Sequence, residues 1–149
     1  MTFEAGMQLV FRLGDYGFAL PVDELAEIHQ AGADEIDRKN TDLPAGCLGV
    51  LPWRDRRLEV YPLDGLLGLP VREVGDDTAI LVVCGSEGYW GLACGRLEGL
   101  HPGRDFRSHA LPELLERETP LPFERLLEWH DEILHGCSAV TLETLRGSA

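Results

Sequence analysis

Between Leu48 and Pro70 the chain runs Leu48-Gly49-Val50-Leu51-Pro52-Trp53, then Arg54-Asp55-Arg56-Arg57, then Leu58-Glu59-Val60-Tyr61-Pro62-Leu63. Two apolar arms around a charged tip read as a β-hairpin with a polar four-residue connection, which commits the middle of the chain to antiparallel sheet. The second arm enters Asp64-Gly65-Leu66-Leu67-Gly68-Leu69-Pro70, where Asp64 is placed to cap a helical turn too short to stand alone and Pro70 to stop it. A hairpin whose tip carries arginines is a presented surface.

The same punctuation recurs along the chain. Gln8–Leu13 and Phe18–Pro21, separated by Gly14-Asp15-Tyr16-Gly17, predict an N-terminal hairpin. Val22, Leu25, Ala26 and Ile28 recur at helical spacing behind Pro21, with Asp23 and Glu24 in the first turn, and predict a short amphipathic helix. His29–Gly46 is polar without a period, a long connecting loop, and Val71–Asp77 is polar again. Thr78–Cys84, the most apolar run, and Tyr89–Cys94 flank the turn Gly85-Ser86-Glu87-Gly88 and predict a central hairpin, with Gly91 and Gly95 marking a bulge or barrel corner. Leu111–Arg117 predicts a brief helix that Pro120 and Pro122 end. Phe123, Leu126, Leu127 and Trp129 supply apolar contacts before a turn at 130–132. Ile133–Leu142 reads as the last strand, with a helical turn at Glu143–Leu145. Short hairpins with corner glycines point to an all-β fold with short helices, built as small closed barrels.

A chain of 149 residues can bury roughly two-thirds of its unfolded surface, enough for one domain or two closely packed small ones. Against 13 Lys and Arg stand 26 Asp and Glu, a formal charge of −13 that repels phosphate and argues against nucleic acid and anionic membrane as partners. No apolar run reaches the roughly 20 residues of a membrane helix, and Met1–Gly6 lacks signal-peptide character, so a cytoplasmic location is expected. Cys47, Cys84, Cys94 and Cys137 are widely spaced in apolar surroundings and read as reduced core residues.

Catalytic signatures are missing from the sequence. Cys84-Gly85-Ser86-Glu87-Gly88 and Gly136-Cys137-Ser138-Ala139-Val140 each lack one glycine of the nucleophile elbow. His130 and His135 lie five apart, which puts them on different helical faces and on opposite faces of a strand; a metal enzyme built on them is the remote alternative. No cysteine pair has zinc spacing and no glycine-rich phosphate loop occurs, so no cofactor is expected. His29, His101 and His109 fall in polar loops and read as exposed.

Leu9-Val10-Phe11-Arg12-Leu13-Gly14-Asp15, Phe18-Ala19-Leu20-Pro21 and Leu25-Ala26-Glu27-Ile28, in that order, resemble the opening of the CheW-like domain, approximately L-V-F-x-L-G-D-x-x-Y-A-L-P-x-x-x-V-x-E-I. Leu43–Leu51 resembles the approach to its G-V-I-N-L-R-G segment, with Arg54 at the arginine, and Leu66-Leu67-Gly68-Leu69-Pro70 resembles its L-G-L-P close. Gly91–Leu100 is similar to the family's second half, and the likeness spans roughly residues 8–145. It implies two small five-stranded SH3-like barrels on a shared apolar core, within one domain over 1–149: subdomain 1 near 15–75, subdomain 2 near 76–135 with the terminal segments. It also implies a non-enzymatic adaptor that couples chemoreceptors to a CheA-type histidine kinase. The departures are Pro52-Trp53-Arg54-Asp55 for N-L-R-G, Glu59 and Pro62 for the proline and acid of P-V-x-D-L, and Gly95 for the aspartate of V-D-x-V. They leave open a diverged interaction domain in another two-component or motility pathway. Pro52 and Pro62, each without a backbone donor, place both arms at a sheet edge.

Arg54 is the foremost partner-binding candidate, since a guanidinium fork on a tip can pair bidentately with a carboxylate; the plainer reading is a solvated arginine held by Asp55. Trp53 reads as core filler or as an exposed aromatic anchor. Arg56 and Arg57 are turn charges or further contacts, and Glu59 and Tyr61, alternating with Val60, mark a wet face with a possible role in binding.

Overall fold

The computed structural model describes residues 6–29, 36–37, 43–71, 78–110, 123 and 125–147. Eleven strands among the described residues form two curled sheets. The first hairpin is β1 (Met7–Leu13) with β2 (Tyr16–Pro21), as the sequence predicts. A 3-10 turn at Val22–Glu24 leads into β3 (Leu25–His29), where a helix was expected. The reason lies in the pairing of β3 with β6, which carries a bulge between Leu25 and Glu27. The extra residue turns Leu25 and Ile28 toward the same core while Ala26 faces the other side, so a bulged strand imitates helical spacing.

The central hairpin is β4 (Gly49–Trp53) with β5 (Arg56–Pro62), and its connection is two residues, Arg54-Asp55, rather than four, because Arg56 and Arg57 pair with Trp53 and Pro52. Pro52 does lie on an edge strand, but β5 is interior and Pro62 closes its end. Helix α1 (Leu63–Leu66) starts one residue before Asp64, whose carboxylate accepts the Gly65 amide at 3.1 Å. It stops before Pro70: Gly68, at φ 77°, donates to the Gly65 carbonyl at 3.1 Å and Leu69 to the Asp64 carbonyl at 2.8 Å, a Schellman ending that needs a left-handed residue. The hairpin β6 (Ala79–Gly85) and β7 (Gly88–Cys94) turns at Ser86-Glu87.

Beyond β7 come β8 (Leu97–Pro102), a 3-10 turn at Gly103–Asp105, β9 (Arg107–Ala110) and β10 (Arg125–Trp129), strands not predicted from the sequence. The brief helix expected at Leu111–Arg117 lies outside the described residues, as does most of the 29–46 loop. His29, His101 and His109 sit on strands, not in loops. The last strand, β11 (Glu132–Gly136), is shorter than predicted, and Ala139–Gly147 is helix α2. Ser138 makes the difference: its Oγ accepts the Thr141 amide at 3.1 Å, while Glu24 accepts the Ala139 amide at 2.5 Å, so two amides of the first turn are satisfied. Ser138→Ala is expected to cost about 1 kcal/mol in urea unfolding, with Ser138→Asp close to wild type.

The sheet orders are β3-β6-β7-β5-β4 and β8-β1-β2-β11-β10-β9. Each contains two hairpins joined by a parallel pair, β5 with β7 and β2 with β11. Together they form two SH3-like barrels, the second carrying β9 as a sixth, four-residue edge strand. Because β7 returns to pair with β5, residues 79–94 stay with the first barrel, which crosses the division expected near residue 75; β2 belongs to the second. Period-two alternation sorts the side chains. Leu9, Phe11 and Leu13 with Leu81, Val83, Trp90 and Leu92 fill a core shared between the sheets, capped by Ala139 and Leu142 of α2. Val10, Leu127 and Leu134 fill one barrel; Val60 and Ile80 the other. Burying each large seam side chain stabilises the packing of the two sheets by about 1.5–3 kcal/mol. None of the four cysteines is in a disulfide; Cys94 and Cys137 are buried as expected, Cys47 is half-buried, and Cys84 is exposed because it faces outward near the end of β6. Burial pushes the Cys94 thiol up to about 12.

Candidate functional site

The tip of the β4–β5 hairpin stands at one end of the five-stranded barrel. Arg54 adopts φ 51°, a left-handed conformation that costs a non-glycine residue about 1 kcal/mol, and the Arg56 amide reaches back to its carbonyl at 2.7 Å. Arg54→Gly is therefore expected to keep or slightly raise the melting temperature while removing the cation, a separation of stability from binding that thermal unfolding beside a capture assay would reveal.

The Arg54 guanidinium is not held by Asp55: it lies 4.4 Å above the Trp53 ring. Trp53 is buried, packed with Leu58 and Val82 inside the barrel, and its indole N–H donates to the Glu27 carboxylate across from β3. That N–H, with His29 second, holds the Glu27 carboxyl below the usual carboxylate range. Arg56 lies 5.6 Å from the ring of Tyr89, and Tyr89 is tilted against Trp53 at 5.1 Å. Arg57 pairs with Asp37 at 3.2 Å, so its charge is partly spent within the chain.

Glu59 and Tyr61 form a different neighbourhood. Tyr61 is buried, and its hydroxyl donates to Glu59 at 3.3 Å. Burial first, then the charge of Glu59, pushes the phenol up to about 12. Arg146 of α2 stacks over both Tyr61 and Trp90 at 5.2 Å, and a hollow of about 260 Å³ lies between Arg57, Glu59, Tyr89, Glu143 and Arg146. Glu143 anchors α2 here by accepting the Ser86 amide at 3.1 Å.

The sequence-predicted residues thus divide. Arg54 and Arg56 are exposed at the tip, Trp53 supports them from below, Arg57 is ion-paired, Glu59 lines the hollow toward α2, and Tyr61 is buried beneath Arg146. Sequence reasoning missed Glu27 and Tyr89, which come from other strands, and their contact with Trp53 is legible only once the barrel closes. The histidines do not converge: His130 sits in the β10–β11 turn beside Trp129, and His135 meets the Gly17 carbonyl at 2.9 Å. Among the described residues no group of three His, Cys, Asp or Glu could hold a metal ion, and no helix is long and apolar enough to cross a membrane.

Residues 8–112, most of the chain, match the CheW-like domain. The chain belongs to that family. The scaffolding protein TtCheW from Thermoanaerobacter tengcongensis superimposes with a TM-score of 0.75 over 95% of this chain and 92% of its own, at 18% identity, so the two-barrel fold is shared where little of the sequence is. No curated protein sequence matches. In this CheW-like domain Arg54 stands on the ring of Trp53.

Proposed function

We propose that this CheW-like domain is a non-enzymatic scaffold in chemotaxis-type signal transduction, working in the cytoplasm and coupling chemoreceptors to a CheA-type histidine kinase through protein contacts. The family match over residues 8–112 carries the reading, and the exposed tip arginines, aimed at solvent from a rigid barrel, support a contact role for that end. Arg54 and Arg56 make the contact, with Trp53 as their support. Glu59, Tyr61 and Arg57 play at most a peripheral part, because each is engaged within the chain.

Capture of the cognate kinase and of the receptor cytoplasmic region on immobilised protein tests this. Wild type is expected to retain both, and Arg54→Glu to weaken at least one by about tenfold, the effect of reversing a charge at an interface. Retention of neither by wild type would remove the reading. The altered tip, Pro52-Trp53-Arg54-Asp55, favours a second reading, a scaffold of another two-component or motility pathway, which capture of that pathway's kinase in place of a chemotaxis kinase would select.

A further inference from the structure

We propose that Trp53 and Tyr89, drawn from two different hairpins, form a ring platform that holds Arg54 and Arg56 as a clamp for an acidic segment of the partner. The proposal deepens the scaffold reading and rests on the same tip. Its first observation is a contrast among arginines. Arg12, Arg57 and Arg96 each form an ion pair with a carboxylate, whereas among the described residues Arg54 and Arg56, like Arg104, Arg107 and Arg146, form none, although the charge of Glu27 reaches Arg54, in a chain with twice as many acids as bases. What they have instead is a ring apiece: Trp53 under Arg54 at 4.4 Å and Tyr89 near Arg56 at 5.6 Å, with the rings 5.1 Å apart. A guanidinium laid against a ring keeps its N–H edges for planar, bidentate pairing with carboxylates and loses little freedom when a partner arrives.

The platform is fixed in place. Trp53 is buried and locked by its bond to Glu27, so Glu27 acts as a positioning residue. Tyr89 is 39% exposed at the start of β7, reachable by the same partner, and sets where Arg56 can stand. The occupant is acidic by charge complementarity: the net charge of −13 elsewhere repels such a segment, and the tip presents two exposed cations that form no ion pair among the described residues.

The test uses the full chain, a fluorescein-labelled twelve-residue Glu-Ala repeat and its Lys-Ala counterpart, beside the kinase and receptor capture. The acidic peptide is expected to bind, to shift the Trp53 indole N–H signal in NMR, and to weaken with salt. Arg54→Gln and Arg56→Gln should each cost about tenfold, and Tyr89→Leu about threefold with Tyr89→Phe unchanged, because the ring and not the hydroxyl supports the cation. All three positions are exposed, and matched melting curves confirm folding. Equal binding of the basic peptide, or no loss in either arginine variant, overturns the clamp. Kinase and receptor held equally by wild type and by these variants also overturns it and leaves the scaffold reading standing. Acidic peptide held at the tip while neither protein is captured does the reverse.

Discussion

Gly95→Ala is expected to destabilise the protein by about 3 kcal/mol, in the range of severe overpacking, and to lower the melting temperature by about 6–12 °C. Gly95 follows β7 at the point where the chain crosses from the first barrel to the second. A Cβ built there would lie 2.4 Å from the Arg12 carbonyl oxygen and 3.4 Å from its carbon. These are backbone atoms of β1, a strand paired on both sides, and cannot swing aside as a side chain would. The crossing is also tied by the Arg12 amide, which donates to the Arg96 carbonyl at 2.7 Å, so pushing the chain away would break that bond as well. Gly95→Asp, the residue that the resemblance to V-D-x-V implies at this position, should cost at least as much as alanine. Thermal unfolding decides, and a loss below about 0.5 kcal/mol would show that the crossing has slack.

Arg12→Met is expected to cost about 2 kcal/mol at neutral pH. Arg12 points from β1 between Glu98 of β8 and Glu132 of β11: Nε lies 3.1 Å and Nη2 3.2 Å from the two Glu98 oxygens, and Nη2 also donates to Glu132. Three strands of the second barrel thus share one cation, which is only 16% exposed. Methionine keeps the stem's packing but leaves two carboxylates facing one another. Breaking a fully buried pair costs about 3–5 kcal/mol, and the lower figure here reflects the water that reaches both glutamates. The acid limb supplies an independent check. The hydrogen bond from Arg12, ahead of Arg96, holds the Glu98 carboxyl below its ordinary value. A depressed carboxyl contributes stability above its unfolded pKa of about 4.3 and loses it as pH falls through the folded value. Wild type should therefore lose more stability than Arg12→Met between pH 7 and about pH 3, and the gap between their urea midpoints should narrow. A constant gap would mean that packing, not charge, is what Arg12 supplies.

Much of the fold was legible because hairpins are local. Gly14-Asp15 and the apolar runs either side define β1 and β2 without help from the rest of the chain, and Thr78–Cys94 does the same for β6 and β7. Two failures share a cause. At Leu25–His29 and at Ala139–Gly147 the apolar spacing suited either state, and long-range groups decided: pairing with β6 in the first case, the Ser138 cap and Glu24 in the second. The strand β10 was overlooked although a turn at 130–132 was expected: the adjacent Leu126 and Leu127 break period-two alternation, and His130 and Asp131, at φ 48° and 63°, are neither the asparagine nor the glycine that usually marks a two-residue hairpin. A signal did exist. Leu127-Glu128-Trp129-His130-Asp131 repeats the pattern of Leu51-Pro52-Trp53-Arg54-Asp55, and each tryptophan closes the end of its own barrel.

The sequence alone determined the hairpins, the arginine-bearing tip and the family resemblance, because turn chemistry and alternation act over a few neighbouring residues. Only the tertiary structure decided which hairpins share a barrel, since β2 with β11 and β5 with β7 pair across wide separations that no local preference encodes. It decided the site as well. Glu27, Trp53 and Tyr89 stand on strands far apart in the chain, and closure of the barrel is what brings one carboxylate and two rings beneath a pair of arginines.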